Sequence, residues 1–156
     1  MKATIEKFIK DKDVAVVGAS RDPRKWGSGL AKMLTKKGYT VHPVNPQAKK
    51  IEGLTCYATV GNLPKNVSNI IISLPAAKAV QVLKECSGSG VKRVWLHKGV
   101  GGEGASSPEA VEAARQAGLE VVYGLCPMMF YPPTGIHRIH FLFRKWRKKL
   151  PPEFSA

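Results

Sequence analysis

Apolar residues along this chain fall into short continuous runs separated by stretches with helical spacing. Val14 to Val17 is a short continuous apolar β-branched run, the pattern of a central parallel strand covered on both faces, and Asn69 to Leu74 reads as another continuous apolar strand. Tyr39 to Val44, Lys92 to Leu96 and Glu120 to Tyr123 read as further strands; Pro43 lies near the end of the first of these, where Asn45-Pro46 turns the chain. Between the strands, Leu30, Met33 and Leu34 mark one helical face, closed by Gly38 in the position that favours a left-handed cap. Ala79, Val82, Leu83 and Cys86 mark a second face, which makes Cys86 a packing residue. A third helix carries Ala110, Ala113, Ala114 and Ala117; Ser107-Pro108-Glu109 opens it and Gly118 stops it. Ile5, Phe8 and Ile9 give an amphipathic N-terminal helix, and Thr55 to Tyr57 is expected to form a short extended segment.

Strands alternating with helices through short connections predict an α/β fold: a Rossmann-like, doubly wound, mainly parallel sheet of about five strands. Such sheets bind ligands beyond the carboxyl ends of their strands. Those ends are Gly18-Ala19-Ser20, Asn45-Pro46, Leu74-Pro75-Ala76, His97-Lys98-Gly99 and Leu125-Cys126-Pro127, which should gather on one edge. Residues 1–133 are read as a single domain and residues 134–156 as a basic C-terminal tail.

Length and composition narrow the reading. The 156 residues suffice for one ordinary core but not for a second catalytic domain of similar size. No apolar run approaches the ~20 residues of a membrane-spanning helix, and the N-terminus lacks the apolar core of a signal peptide, so a cytoplasmic protein is expected. Cys56, Cys86 and Cys126 stand far apart, which disfavours a disulfide framework or a zinc site. The formal net charge of +14 predicts attraction to polyanions: nucleic acid, anionic lipid or a multiply phosphorylated small ligand.

The stretch from Asp13 to Gly29 is where these expectations meet, since an apolar run ending in Gly-Ala-Ser before a helix presents backbone N–H groups to phosphate. Its loop does not spell GxGxxG, and the second strand ends in Asn45 rather than an acid, so an ordinary NAD site is not expected. NADP stays open, because basic residues could receive a 2′-phosphate. Arg21, Arg24, Lys25, Lys49 and Lys50 lie in loops that the topology brings near the helix N-terminus, which suits an adenosine ligand with extra phosphate.

Four stretches, VAVVGASRDPRKWGSG, YTVHPVNP, NIIISLPAAKAV, and VKRVWLHKGV followed by GLEVVYGLCPMMF, together resemble the small CoA-binding proteins related to the N-terminal domain of the succinyl-CoA synthetase α-subunit. The resemblance covers about residues 5 to 130 and implies a Rossmann-like fold with coenzyme A, or an acyl-CoA, lying across the strand ends. It implies a glycine loop at Gly18, Ala19, Ser20 and Trp26-Gly27-Ser28, phosphate and adenine contacts near Asn45, Pro46, Leu74, Pro75 and Ala76, and a further strand-end loop at Lys98, Gly99 and Val100. The synthetases' phosphorylated histidine belongs to a domain outside this resemblance, so ligase turnover is not expected from this polypeptide alone. The tail after Pro133 has no counterpart in the family pattern.

Single residues invite sharper readings. Cys126, before Pro127, is either a thiolate near the pantetheine sulfur, activated by a following helix N-terminus, or a structural cysteine. Of the four histidines only His97 lies at the ligand edge, and Trp26 either stacks on adenine or covers the start of its helix. In the tail, Ile136, Ile139, Phe143 and Leu150 form a possible apolar stripe, outside which lie Arg138, Arg144, Lys145, Arg147, Lys148 and Lys149; a strand over Ile139 to Phe143 competes with it. The reading that results is a non-catalytic CoA or acyl-CoA carrier, sensor or regulatory protein. Its alternatives are a nucleic-acid or membrane-surface module driven by the tail, and an NADP-binding enzyme.

Overall fold

The structure is a computed structural model that describes residues 1–98, 104–131, 139, 142, 145 and 146. In chain order the elements are α1 (Lys2–Lys10), β1 (Asp13–Val17), α2 (Trp26–Lys36), β2 (Thr40–Val44), β3 (Lys50–Ile51), β4 (Leu54–Thr55), β5 (Asn69–Ile72), α3 (Ala76–Glu85), β6 (Arg93–His97), α4 (Pro108–Gln116) and β7 (Glu120–Leu125). Five strands pair in the order β2-β1-β5-β6-β7, all parallel, as the alternation of runs and helices predicted. Tail positions Ile139, Leu142, Lys145 and Trp146 are helical, and Ile139, expected on the packed stripe, is instead 67% exposed. The expected stripe partners Ile136, Phe143 and Leu150 lie outside the described residues, as do Gly99 and Val100.

Alternation of side chains divides the core into two layers. Val14, Val16, Ile71, Trp95 and Val122 point to the layer that holds Ile5 and Phe8 of α1 and Leu30 and Leu34 of α2. Ala15, Val17, Ile70, Ile72, Val94 and Leu96 point to the layer that holds Leu83 of α3 and Ala110 and Ala114 of α4. Cys86 belongs to this second layer, and burial pushes its thiol up to about 12, which fits the packing role expected of it.

The segment after β2 departs from expectation. The extended piece is a two-residue hairpin, in which Lys50 pairs with Thr55 and Ile51 with Leu54 across a turn with Glu52 at φ 50° and Gly53 at φ 79°. Tyr57 does not extend this hairpin; it bridges to Val44, donating its N–H to the Pro43 carbonyl at 2.9 Å. Pro43 is tolerated because β2 is the edge strand, where a missing N–H breaks no ladder on the solvent side.

The amino edge of the sheet is held by charge. Arg93 donates from Nε to Asn69 Oδ1 at 2.5 Å and from Nη2 to Ser68 Oγ at 2.7 Å and Asp11 Oδ2 at 3.1 Å. That leaves the opposite, carboxyl edge as the place for chemistry.

Candidate functional site

The strand order reverses at β1: β2 lies on one side of it and β5 on the other. A crevice opens outside the carboxyl ends of strands at such a switch point. Gly18 ends β1 there with φ +91°, and a Cβ on it would collide with the Ser73 carbonyl oxygen and lie 2.9 Å from Leu74 Cδ2. A side chain at Gly18 would therefore separate the ends of β1 and β5.

Gly27 holds α2 against the same spot. A Cβ here would sit 2.5 Å from the Gly18 carbonyl oxygen and 3.2 Å from Ala19 Cα, so only glycine lets the helix start this close to the strand end. This is the close helix–strand approach that the last glycine of a GxGxxG loop provides, delivered at a longer spacing. Ser28, fully buried beside it, ties the loop down: its Oγ accepts from Ser20 N–H at 3.2 Å and contacts the carbonyl oxygens of Ser20 and Asp22.

Within the loop, Ser20 Oγ accepts from Asp22 N–H at 3.1 Å. Asp22 Oδ1 accepts from both the backbone N–H and Nε of Arg24 at 3.0 Å, and Oδ2 accepts from Nη2 at 3.0 Å. The Arg24 guanidinium thus holds the Asp22 carboxyl below its ordinary range. Arg21, Arg24 and Lys25 are all exposed, and Arg24 is already committed to Asp22.

Asn45 fastens the neighbouring strand end. Its Nδ2 donates to the Ala19 carbonyl at 2.8 Å and its Oδ1 accepts from Gln47 N–H at 2.8 Å, which locks the loops after β1 and β2 together. Pro46 and Pro75 are exposed, while Leu74 and Ala76 are half-buried at the start of α3. Neither α2 nor α3 has a side-chain cap or an acid in its first turn, whereas α4 is capped by Ser107 and carries Glu109 there. The two helices flanking the switch point therefore keep their positive ends uncompensated.

Beside Gly18 and Asn45 lies a cleft of about 460 Å³ lined by Pro46, Gln47, Thr59, Leu74, Lys78 and Gln81, among others. Its size falls within the usual range for small-molecule sites, ~300 to 1,000 Å³. Glycine loop, uncapped helices and cleft together suit a phosphorylated nucleoside. The family model for the CoA binding domain matches residues 12–132. The chain belongs to this CoA-binding family.

Relatives agree with that membership. The chain is 35% identical over 117 residues to the ADP-forming acetate–CoA ligase II of Archaeoglobus fulgidus, covering 70% of this chain and 17% of the ligase. It is 33% identical over 128 residues to the α-subunit of the ADP-forming acetate–CoA ligase II of Pyrococcus furiosus, covering 78% of this chain and 28% of that subunit. It therefore spans less than a third of either relative. Among solved structures, a conserved hypothetical protein of Pyrococcus furiosus superposes with a TM-score of 0.68 at 40% identity, covering 75% of this chain and 97% of that one. The dinucleotide-forming acetyl-coenzyme A synthetase 1 of Ca. Korarchaeum cryptofilum gives a TM-score of 0.65 at 34% identity, covering 76% of this chain and 27% of the synthetase.

For this CoA-binding domain, the remaining expected site residues fall as follows. Lys98 is half-buried just after β6, its N–H directed to the Leu125 carbonyl at 3.4 Å. Cys126 is 6% exposed and precedes not a helix but a three-residue 3-10 turn, Pro127–Met129, too short to provide a helix-end field. Lys49 is exposed just before β3 and Lys50 is the exposed first residue of that strand; Lys49 borders a second hollow with Pro46, Gln47 and Cys56. Trp26, the half-buried first residue of α2, stacks its ring on that of His97.

Sequence reasoning passed over Lys78, Gln81 and Glu85, which line the cleft from α3, and Thr59 and Val60, which line it from the segment after β4. The three α3 residues sit opposite that helix's apolar face, a signal identical to that of any solvated helix face.

Proposed function

We propose that this chain binds coenzyme A or an acyl-CoA across the carboxyl edge of its sheet, as a carrier, sensor or regulatory domain. The observation that carries this reading is the junction of Gly18 and Gly27, which brings the uncapped N-terminus of α2 against the end of β1 beside the cleft. In this reading the phosphates lie at Gly18, Ala19, Ser20 and the first turn of α2, with Arg21 and Lys25 facing them and Arg24 acting partly through Asp22. Asn45 serves by holding the two loops in register. The nucleoside occupies the cleft between Pro46 and Thr59 on one side and Leu74, Lys78 and Gln81 on the other, with Pro75 and Ala76 at the start of α3 beside it. The rest of the ligand runs toward Lys98, Gly99, Val100 and Cys126.

A binding role is proposed because the matched region, residues 12–132, is a CoA binding domain. Calorimetry tests the reading. Coenzyme A is expected to bind more tightly than dephospho-coenzyme A, and replacing Arg21, Arg24 and Lys25 with glutamine should erase that preference. Negligible heats for coenzyme A, acetyl-CoA and NADP alike would overturn it. The same titrations with a chain truncated after Pro133 are expected to give unchanged CoA binding, which separates this site from any polyanion binding by the tail.

A further inference from the structure

Large apolar side chains are covered throughout the described residues, with one group of exceptions. Ile139 at 67%, Leu142 at 54% and Trp146 at 76% are exposed, and all three belong to the tail. Their positions are helical, as is that of the exposed Lys145. An α-helix turns by about 100° per residue, which places Ile139, Leu142 and Trp146 within an arc of about 60° and Lys145 beside its edge. Exposed apolar residues scattered singly need no explanation, but a helical stripe of them does. Neither layer of the core described above includes any of the three.

The charges around this stripe are of one sign. From residue 138 to residue 149 the sequence carries Arg138, Arg144, Lys145, Arg147, Lys148 and Lys149 and no acid. Three kinds of occupant could cover an apolar stripe in such a setting. A second copy of the chain would bring the same cations against these, which opposes association. A nucleic acid would pair its phosphates with the cations but leave Ile139 and Leu142 in water, because its contacts are made chiefly by polar donors and stacked aromatic rings. An anionic lipid surface satisfies both features at once: headgroups meet the cations, and the acyl boundary takes the aliphatic side chains. The Trp146 indole suits the same depth, where an apolar ring with one polar N–H is favoured. No helix among the described residues is long and apolar enough to cross a membrane, so the stripe would lie along the surface rather than span it.

We propose that this helical stripe docks on an anionic membrane surface, with Ile139, Leu142 and Trp146 entering the acyl boundary while the cations of residues 138–149 meet the headgroups. The attachment is reversible, since three apolar side chains and a polybasic stretch fall far short of a spanning helix. It stands on the tail alone and does not rest on the coenzyme A reading, so either can fail without the other.

Flotation of the full chain with lipid vesicles is the test. Vesicles of phosphatidylcholine and phosphatidylglycerol in equal parts should carry the protein, less so as salt rises, and vesicles of phosphatidylcholine alone should not. The triple variant Ile139→Ser, Leu142→Ser, Trp146→Ser keeps every cation and is expected to lose at least about tenfold in partitioning to the mixed vesicles. All three side chains are exposed, so a thermal unfolding curve like that of the wild type is expected to accompany the loss. Tryptophan emission gives a second measurement that needs no loss of binding. The difference spectrum between wild type and Trp146→Phe isolates Trp146, and it should shift to the blue when the mixed vesicles are added. Full vesicle binding by the triple variant, or an unshifted Trp146 emission on bound protein, would reduce the attachment to charge alone and overturn the proposal. Absence of vesicle binding would overturn it as well. Retardation of RNA in a gel would then assign the tail to nucleic acid, and a dimer that the triple variant cannot form would assign the stripe to a second copy of the chain.

Discussion

The Cα of Gly27 lies so close to Gly18 that a methyl group added to it would stand 2.5 Å from the Gly18 carbonyl oxygen. Helix α2 and strand β1 therefore meet without any side chain between them. Gly27→Ala is expected to push the helix start outward and to lower stability by about 1–3 kcal/mol, the usual range for overpacking a tight site. Chemical denaturation measures the loss, and calorimetry should show weakened coenzyme A binding in the fraction that remains folded.

Ser28 binds the loop through one buried hydroxyl, which contacts the backbone of both Ser20 and Asp22. Ser28→Ala leaves those groups without their partner, and a fall of about 1–3 kcal/mol in unfolding free energy is expected. Hydrogen exchange of the Ser20 amide, which donates to this oxygen at 3.2 Å, should accelerate relative to amides in β1. Unchanged exchange would show that the loop is held by other contacts.

Stability should depend on pH through His97. In the unfolded chain its imidazole takes up a proton near pH 6.5, but in the native state it does so only near 4, because burial disfavours the charged form. Protons thus favour the unfolded chain. The contribution is complete above pH 6.5 and is lost as the pH falls toward 4, by ~1.4 kcal/mol per unit and roughly 3 kcal/mol by pH 4. Denaturation curves of wild type and His97→Gln, compared from pH 7 to pH 4, should converge by that amount toward the acid end.

Cys86 offers a contrast in reactivity. Its thiol is 3% exposed and pushed up to about 12, with Sγ directed to the Val82 carbonyl at 3.4 Å. Iodoacetamide at pH 8 is expected to leave Cys86 unmodified in the native protein and to label it in denaturant, as read by peptide mass spectrometry. Native labelling on the time scale of an exposed thiol would show that α3 opens locally.

The strands were legible because their residues carry one message. Val14 to Val17 and Ile70 to Ile72 are apolar on both faces, nearly all β-branched and followed by punctuation, and they became the two strands at the centre of the switch point. The β3-β4 hairpin was obscure because one of its two turn positions is Glu52, held at φ 50°, where sequence patterns look for asparagine or glycine. Gly27 was included in the glycine loop through resemblance, but its steric role was hidden by a spacing from Gly18 that no short motif describes. The Trp26–His97 stack joins distant parts of the chain, and no local pattern announces a contact of that kind. The tail's charge was plain from sequence, while its expected apolar stripe met an exposed Ile139.

The bridge at the edge of the sheet has a consequence for association between chains. Tyr57 accepts from the Asn45 N–H at 2.9 Å and donates to the Pro43 carbonyl at 2.9 Å, so these two outward-facing groups beyond β2 are already taken. Proline itself offers no donor at the position between. A strand added beyond β2 would find these groups already paired, so the end of the edge strand offers a poor template for aggregation.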